Sequence, residues 1–143
     1  MKIMLANQYL QPTATLLEGM PLKATQSRAR SKLLTLVKEA VVRFGQDEYE
    51  LAAQYATLDK NGKPIFDTDG TFQLADPVHA GEFMTARTQL LESLAEVSGP
   101  TYDTHLEDLH VLLDEYDGDL SGQAAEAYDV LYDAITSARK DQS

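Results

Sequence analysis

The chain contains no cysteine. It therefore has no disulfide framework and no thiolate metal site, and its fold must rest on packing alone. It also lacks tryptophan and has only three histidines, His79, His105 and His110. His105 and His110 are five residues apart, off the i,i+4 spacing that puts two ligands on one helix face, and His79 has no second histidine near Glu82. The residues thus assign no zinc site. No apolar run approaches the roughly 20 residues that cross a bilayer. The opening MKIMLANQYL is interrupted by Asn7 and Gln8 before it reaches the length of a secretory leader. The expectation is a cytoplasmic product without membrane contact. G-x-S-x-G and G-x-G-x-x-G are absent, and Gly62-Lys63 runs into Pro64 where a P-loop needs a hydroxyl residue. The residues predict no catalytic group and no cofactor, hence a protein that is not an enzyme.

Positive charge is the next scarcity. Twelve basic residues face 23 acidic ones, a net charge of −11. The imbalance is uneven: residues 1–46 carry seven basic and two acidic groups (+5), and residues 47–143 carry five basic and 21 acidic groups (−16). Phosphate contacts supply most of the affinity for nucleic acid, so this balance argues against direct nucleic-acid binding. Halves of opposite sign can pair within one chain, in a homo-oligomer, or with a charged protein partner.

What is present is helical periodicity. A chain of 143 residues fits one domain. The spacing of apolar residues predicts helices at about 7–18, 26–56, 77–97, 103–117 and 121–139. In the second, Leu33, Leu34, Val37, Ala40, Val41, Phe44, Leu51, Ala52 and Tyr55 form one stripe at about 100° per residue. Asp76 followed by Pro77 reads as an N-cap with proline at the first helical position. Asn7, Thr25 or Ser27, and Ser121 are the other candidate caps. Asp-Lys-Asn-Gly at 59–62 is a turn. KPIF and TFQL, on either side of Asp67-Thr68-Asp69-Gly70, predict a β-hairpin over about 63–74. The fold class is mainly α: four to five amphipathic helices in a bundle-like single domain with one small β-hairpin.

Two charge clusters are the candidate interaction residues. SRARSK places Arg28, Arg30 and Lys32 within six positions, with Arg43 farther along the same helix. Arg30 falls inside the apolar stripe, and three arrangements fit it. Its stem packs while its head reaches water, it pairs with a carboxylate of the acidic half, or it meets a partner. The acidic cluster is Asp103, Glu107, Asp108, Asp114, Glu115, Asp117 and Asp119. DGDLSG matches the first six positions of an EF-hand loop. Tyr128 then stands where the bidentate glutamate must be, so no metal is assigned and a turn with a helix cap explains the stretch.

SRARSKLL (Ser27, Arg28, Arg30) followed by YATLDKNGKP (Tyr55, Ala56, Asp59, Asn61, Gly62) resembles a family of small uncharacterised proteins encoded by phages and prophages of Gram-positive bacteria, most closely over residues 7–64. The resemblance implies a phage gene and a product in the host cytoplasm, with incorporation into the virion in view. It implies no activity. The expected function is protein–protein interaction with a phage structural or host protein, as a virion, tail-region or assembly accessory. The alternatives are an acidic inhibitor of a host defence or DNA-binding protein and, with least behind it, a calcium-dependent module.

Overall fold

The computed structural model describes residues 1–142. It is mainly helical, as the periodicity predicts. The order is β1 (Lys2–Ala6), a 3-10 turn (Asn7–Tyr9), α1 (Leu10–Gly19), α2 (Ala24–Tyr55), a second 3-10 turn (Pro77–His79), α3 (Ala80–Glu92), β2 (Leu94–Ser98), α4 (His105–Glu115) and α5 (Gly122–Asp141). The chain divides into two compact units where the sequence reads as one domain. Met1–Val42 with the stretch from Leu94 onward forms the first, and Arg43–Ser93, inserted between them, forms the second.

In the first unit, β1 and β2 pair antiparallel, with Ile3 opposite Val97 and Leu5 opposite Ala95. Side chains alternate across a strand, so Ile3 and Leu5 point inward and are about 1% exposed, while Met4 faces out. α5 packs on β1, α1 and α4. The core is closed by Leu10, Leu17, Leu33, Val37, Val97, Leu109, Leu112, Leu113, Leu131 and Ile135, all essentially inaccessible.

Two sequence expectations are corrected here. The helix read over 77–97 ends at Glu92: Ser93 turns extended, and its N–H and hydroxyl bond back to the Gln89 carbonyl, satisfying the helix end. Leu94 and Val97, three apart, satisfy a helical spacing, but in the structure they belong to β2. Its partner is β1, at the other end of the unit's sequence, with Leu94 opposite Ala6 and Val97 opposite Ile3, a pairing no local pattern reveals. The two-stranded sheet is therefore not at 63–74. That stretch folds back antiparallel, with the Asp67 N–H bonded to the Thr71 carbonyl, but makes only isolated bridges, Ala56 with Leu74 and Leu58 with Pro64. The Asp-Gly chemistry sets its turns as expected: Gly62 and Gly70 have φ of +78° and +83°, a region open to glycine, and Asp59 Oδ1 accepts from the Asn61 and Lys63 N–H groups.

The caps divide similarly. Asp76 accepts from the Val78 N–H with Pro77 beside it, as read from the sequence. Asn7 is buried inside the first turn and does not cap it, Thr25 and Ser27 lie within α2, and Ser121 stands at the α5 cap position without a side-chain bond.

Candidate interaction surface

SRARSK belongs to the first unit, where its central arginine is used internally. The Arg30 guanidinium donates to the carbonyls of Leu17 and Met20 at 2.8 and 2.9 Å and to the Ser27 hydroxyl at 3.0 Å. Helix ends leave carbonyls unsatisfied and carry partial negative charge. Arg30 supplies both donors and charge to the end of α1. The ion pair with a carboxylate is thus not its arrangement: backbone carbonyls take that place. Arg28 sits over the Tyr102 ring, 5.6 Å from its centroid, a cation–π contact. Lys32 is half-buried and Arg43, which opens the inserted unit, is exposed.

Much of the acidic cluster is engaged as well. Glu107 pairs with Arg139 at 2.6 Å, and Glu115 accepts from Gln26 Nε2 at 2.6 Å. Asp114 accepts from the Tyr132 hydroxyl at 2.6 Å and faces His110 at 3.4 Å. Asp108 accepts from the Thr104 hydroxyl at 3.3 Å. Asp103, Asp117 and Asp119 are exposed. The basic and acidic candidates do not meet as one site. Within the first unit Arg30, Glu107, Asp114 and Glu115 are spread over separate contacts that tie α1, α2, α4 and α5 together.

His105 belongs to the same scaffold. It is 1% exposed. Its Nε2–H donates to the Ala29 carbonyl at 2.9 Å and its Nδ1 accepts from the Thr101 hydroxyl at 3.0 Å, because a carbonyl can only accept. Burial pushes its pKa below the usual histidine value, while the Ala29 carbonyl acts in the opposite direction. The Asp114 carboxylate bonded to Tyr132 pushes that phenol up.

The surface that sequence reasoning missed lies in the inserted unit. All four phenylalanines of the chain, Phe44, Phe66, Phe72 and Phe83, fall within it, and none is buried. Phe66, Phe72 and Phe83 form a chain of ring contacts with two tyrosines: Phe83 with Phe72 at 5.2 Å, Phe72 with Phe66 at 6.0 Å, Phe66 with Tyr49 at 6.0 Å, and Tyr55 with Phe83 at 5.6 Å. The four phenylalanines and Tyr49 line an open cleft of about 750 Å³ whose walls are mostly apolar. The second half of α2 forms one wall. α3 forms another through Ala80, Phe83, Met84, Arg87, Leu90 and Leu91, which recur at one helix face. The apolar residues around it remain open: Met84 is 57% exposed, Tyr49 46% and Phe66 41%. The signal was in the sequence, since four phenylalanines crowded into positions 44–83 are a composition bias that periodicity alone passes over.

Among the described residues no group of three or more histidine and carboxylate side chains is placed to hold a metal, and no helix is long and apolar enough to cross a membrane. Neither the curated proteins nor the solved structures compared with this chain include a match. One family does match, over residues 1–141, and its description is "Protein of unknown function (DUF1617)". With the match spanning nearly the whole chain, the protein belongs to that family.

Proposed function

We propose that this protein acts by protein–protein contact rather than by catalysis, and that the cleft of the inserted unit is the contact surface. One observation carries the reading. The unit holds every phenylalanine of the chain, yet its only buried apolar residues are Ala52 and Ala56. Apolar surface left in water costs roughly 25 cal/mol per Å², and contiguous exposed apolar patches on soluble proteins mark interaction sites. Aromatic residues and methionine are also the types enriched at interface cores. The resemblance to phage and prophage proteins gives the context: an assembly or virion accessory working in the host cytoplasm.

The second reading, an acidic decoy for a host DNA-binding or defence protein, has less behind it. Glu107, Asp108, Asp114 and Glu115 already accept bonds or ion pairs within the first unit.

Site-specific photo-crosslinking tests the proposal. A benzophenone amino acid is placed at position 66 or 84 in the cleft, and at exposed Val111 of the first unit as control, and the cells are irradiated during phage infection. Adducts to protein, of this chain or another, are expected from 66 and 84 and not from 111. Adducts from 111 alone, or from none of the three, would overturn the reading.

A further inference from the structure

We infer that the cleft of the inserted unit is closed by the same cleft of a second copy of this chain, in a two-fold symmetric dimer. The inference rests on the reading of the cleft as a protein-binding surface, and it names the occupant.

Charge complementarity carries it. Seventeen residues line the cleft, and only two are charged: Glu48 on α2 and Arg87 on α3. They are opposite in sign. Among the described residues neither has a hydrogen-bond or ion-pair partner within the chain. A lone carboxylate or guanidinium enclosed in an apolar interface is costly unless a partner charge meets it. A foreign partner would have to present one anchor of each sign. A second copy does so without further design, because in a two-fold interface residue i meets j and j meets i. Glu48 of each copy then meets Arg87 of the other, two pairs for one axis.

The apolar parts fit the same arrangement. The α3 face that presents Phe83, Met84, Leu90 and Leu91 repeats at i, i+1, i+7 and i+8, the stripe that packs helix on helix. α3 has 13 residues and is about 20 Å long at 1.5 Å per residue. Two such helices, with the aromatic loop residues beside them, bring apolar faces together along that length. The incomplete core of the inserted unit gives the reason for pairing. At 51 residues it is near the size at which a core alone becomes marginal and oligomerisation commonly completes it. Its nine acidic and four basic residues give each copy's unit a net charge of −5. That repulsion is spread over exposed groups and is screened beyond about 10 Å at 0.1 M salt, whereas pairs enclosed in the cleft are screened less.

The test is a charge swap read by sedimentation equilibrium on the full chain. Both residues are exposed, so the single variants keep the fold, as far-UV circular dichroism verifies. The wild type is expected to be dimeric at about 10–100 µM. Glu48→Lys and Arg87→Glu each bring like charges together across the axis and weaken the dimer by about tenfold or more in Kd. The combined variant, Glu48→Lys with Arg87→Glu, re-forms both pairs and recovers most of the loss. A monomeric wild type would overturn the inference, as would a dimer indifferent to either swap or a double variant no tighter than the weaker single one. If the inference fails while positions 66 and 84 still crosslink to another protein, the cleft remains an interface whose occupant is foreign.

Discussion

The two units spend their apolar residues in opposite ways. The first closes a core: among the described residues 21 of the 23 buried apolar ones lie in it, and its His105 and Arg30 find partners at 2.8–3.0 Å, while the hydroxyls of Thr13 and Thr136 are buried without one. The inserted unit holds all four phenylalanines and buries only two alanines. Close packing and polar satisfaction specify one rigid arrangement. An open aromatic cleft leaves binding free energy unspent. The clusters that look most chemical in the sequence build the scaffold, and the surface we propose for partners is built from ordinary apolar residues.

The sharpest way to separate the units is to cut into each. Leu131 is fully buried in the first unit, and Leu131→Ala should destabilise it by about 2–5 kcal/mol, seen as a lower urea midpoint for helix loss. Arg30→Met keeps the stem and removes the donors to Leu17, Met20 and Ser27. With the end of α1 left unsatisfied, a loss of about 1–3 kcal/mol is expected in the same assay. Arg30→Lys should recover only part of it, since an ammonium is a point charge rather than a fork.

A pH titration gives a smaller effect confined to the first unit. The folded pKa of His105 lies below its unfolded value of 6.5. The unfolded chain therefore takes up a proton first as pH falls, and the contribution of neutral His105, complete above 6.5, is lost as pH falls toward the folded pKa. The urea midpoint should decline from pH 7 toward pH 5, and His105→Gln should flatten that decline. A slope unchanged in the variant would remove His105 as its cause. The smallest effect belongs to the inserted unit. Met84→Ser, at a half-exposed cleft position, should change the stability of the monomer by no more than about 0.5 kcal/mol while weakening association. A loss comparable to that of Leu131→Ala would mean the cleft is core after all, and the contrast between the units would collapse.

The helices were legible because each buries a stripe that recurs with the helical period: α2, α4 and α5 end within a few residues of where Leu33, Leu109 and Leu131 and their neighbours place them. The Asp76-Pro77 cap and the glycine turns were legible because their chemistry is local. β1 and β2 were not, since each is five residues long and acquires its identity only from the other, far along the chain. The role of Arg30 hid for a similar reason. Its position inside an apolar stripe fits a solvated head, an ion pair or an outside partner equally well, and the partners it has are backbone carbonyls, which carry no mark in a sequence. The cleft escaped because Phe44 and Phe83 fit a helical stripe equally well whether that stripe meets a core or a partner.

Residue-resolved hydrogen exchange at two protein concentrations tests the central claim most directly. Amides of α1, α4, α5 and the first part of α2 should exchange only on global opening, at rates independent of concentration. Amides of α3 and of α2 from Arg43 to Tyr55 should exchange faster in dilute solution and gain protection as concentration rises and the cleft is covered. Uniform protection across both units, unchanged by concentration, would contradict the account: the inserted unit would then be as self-sufficient as the scaffold that carries it.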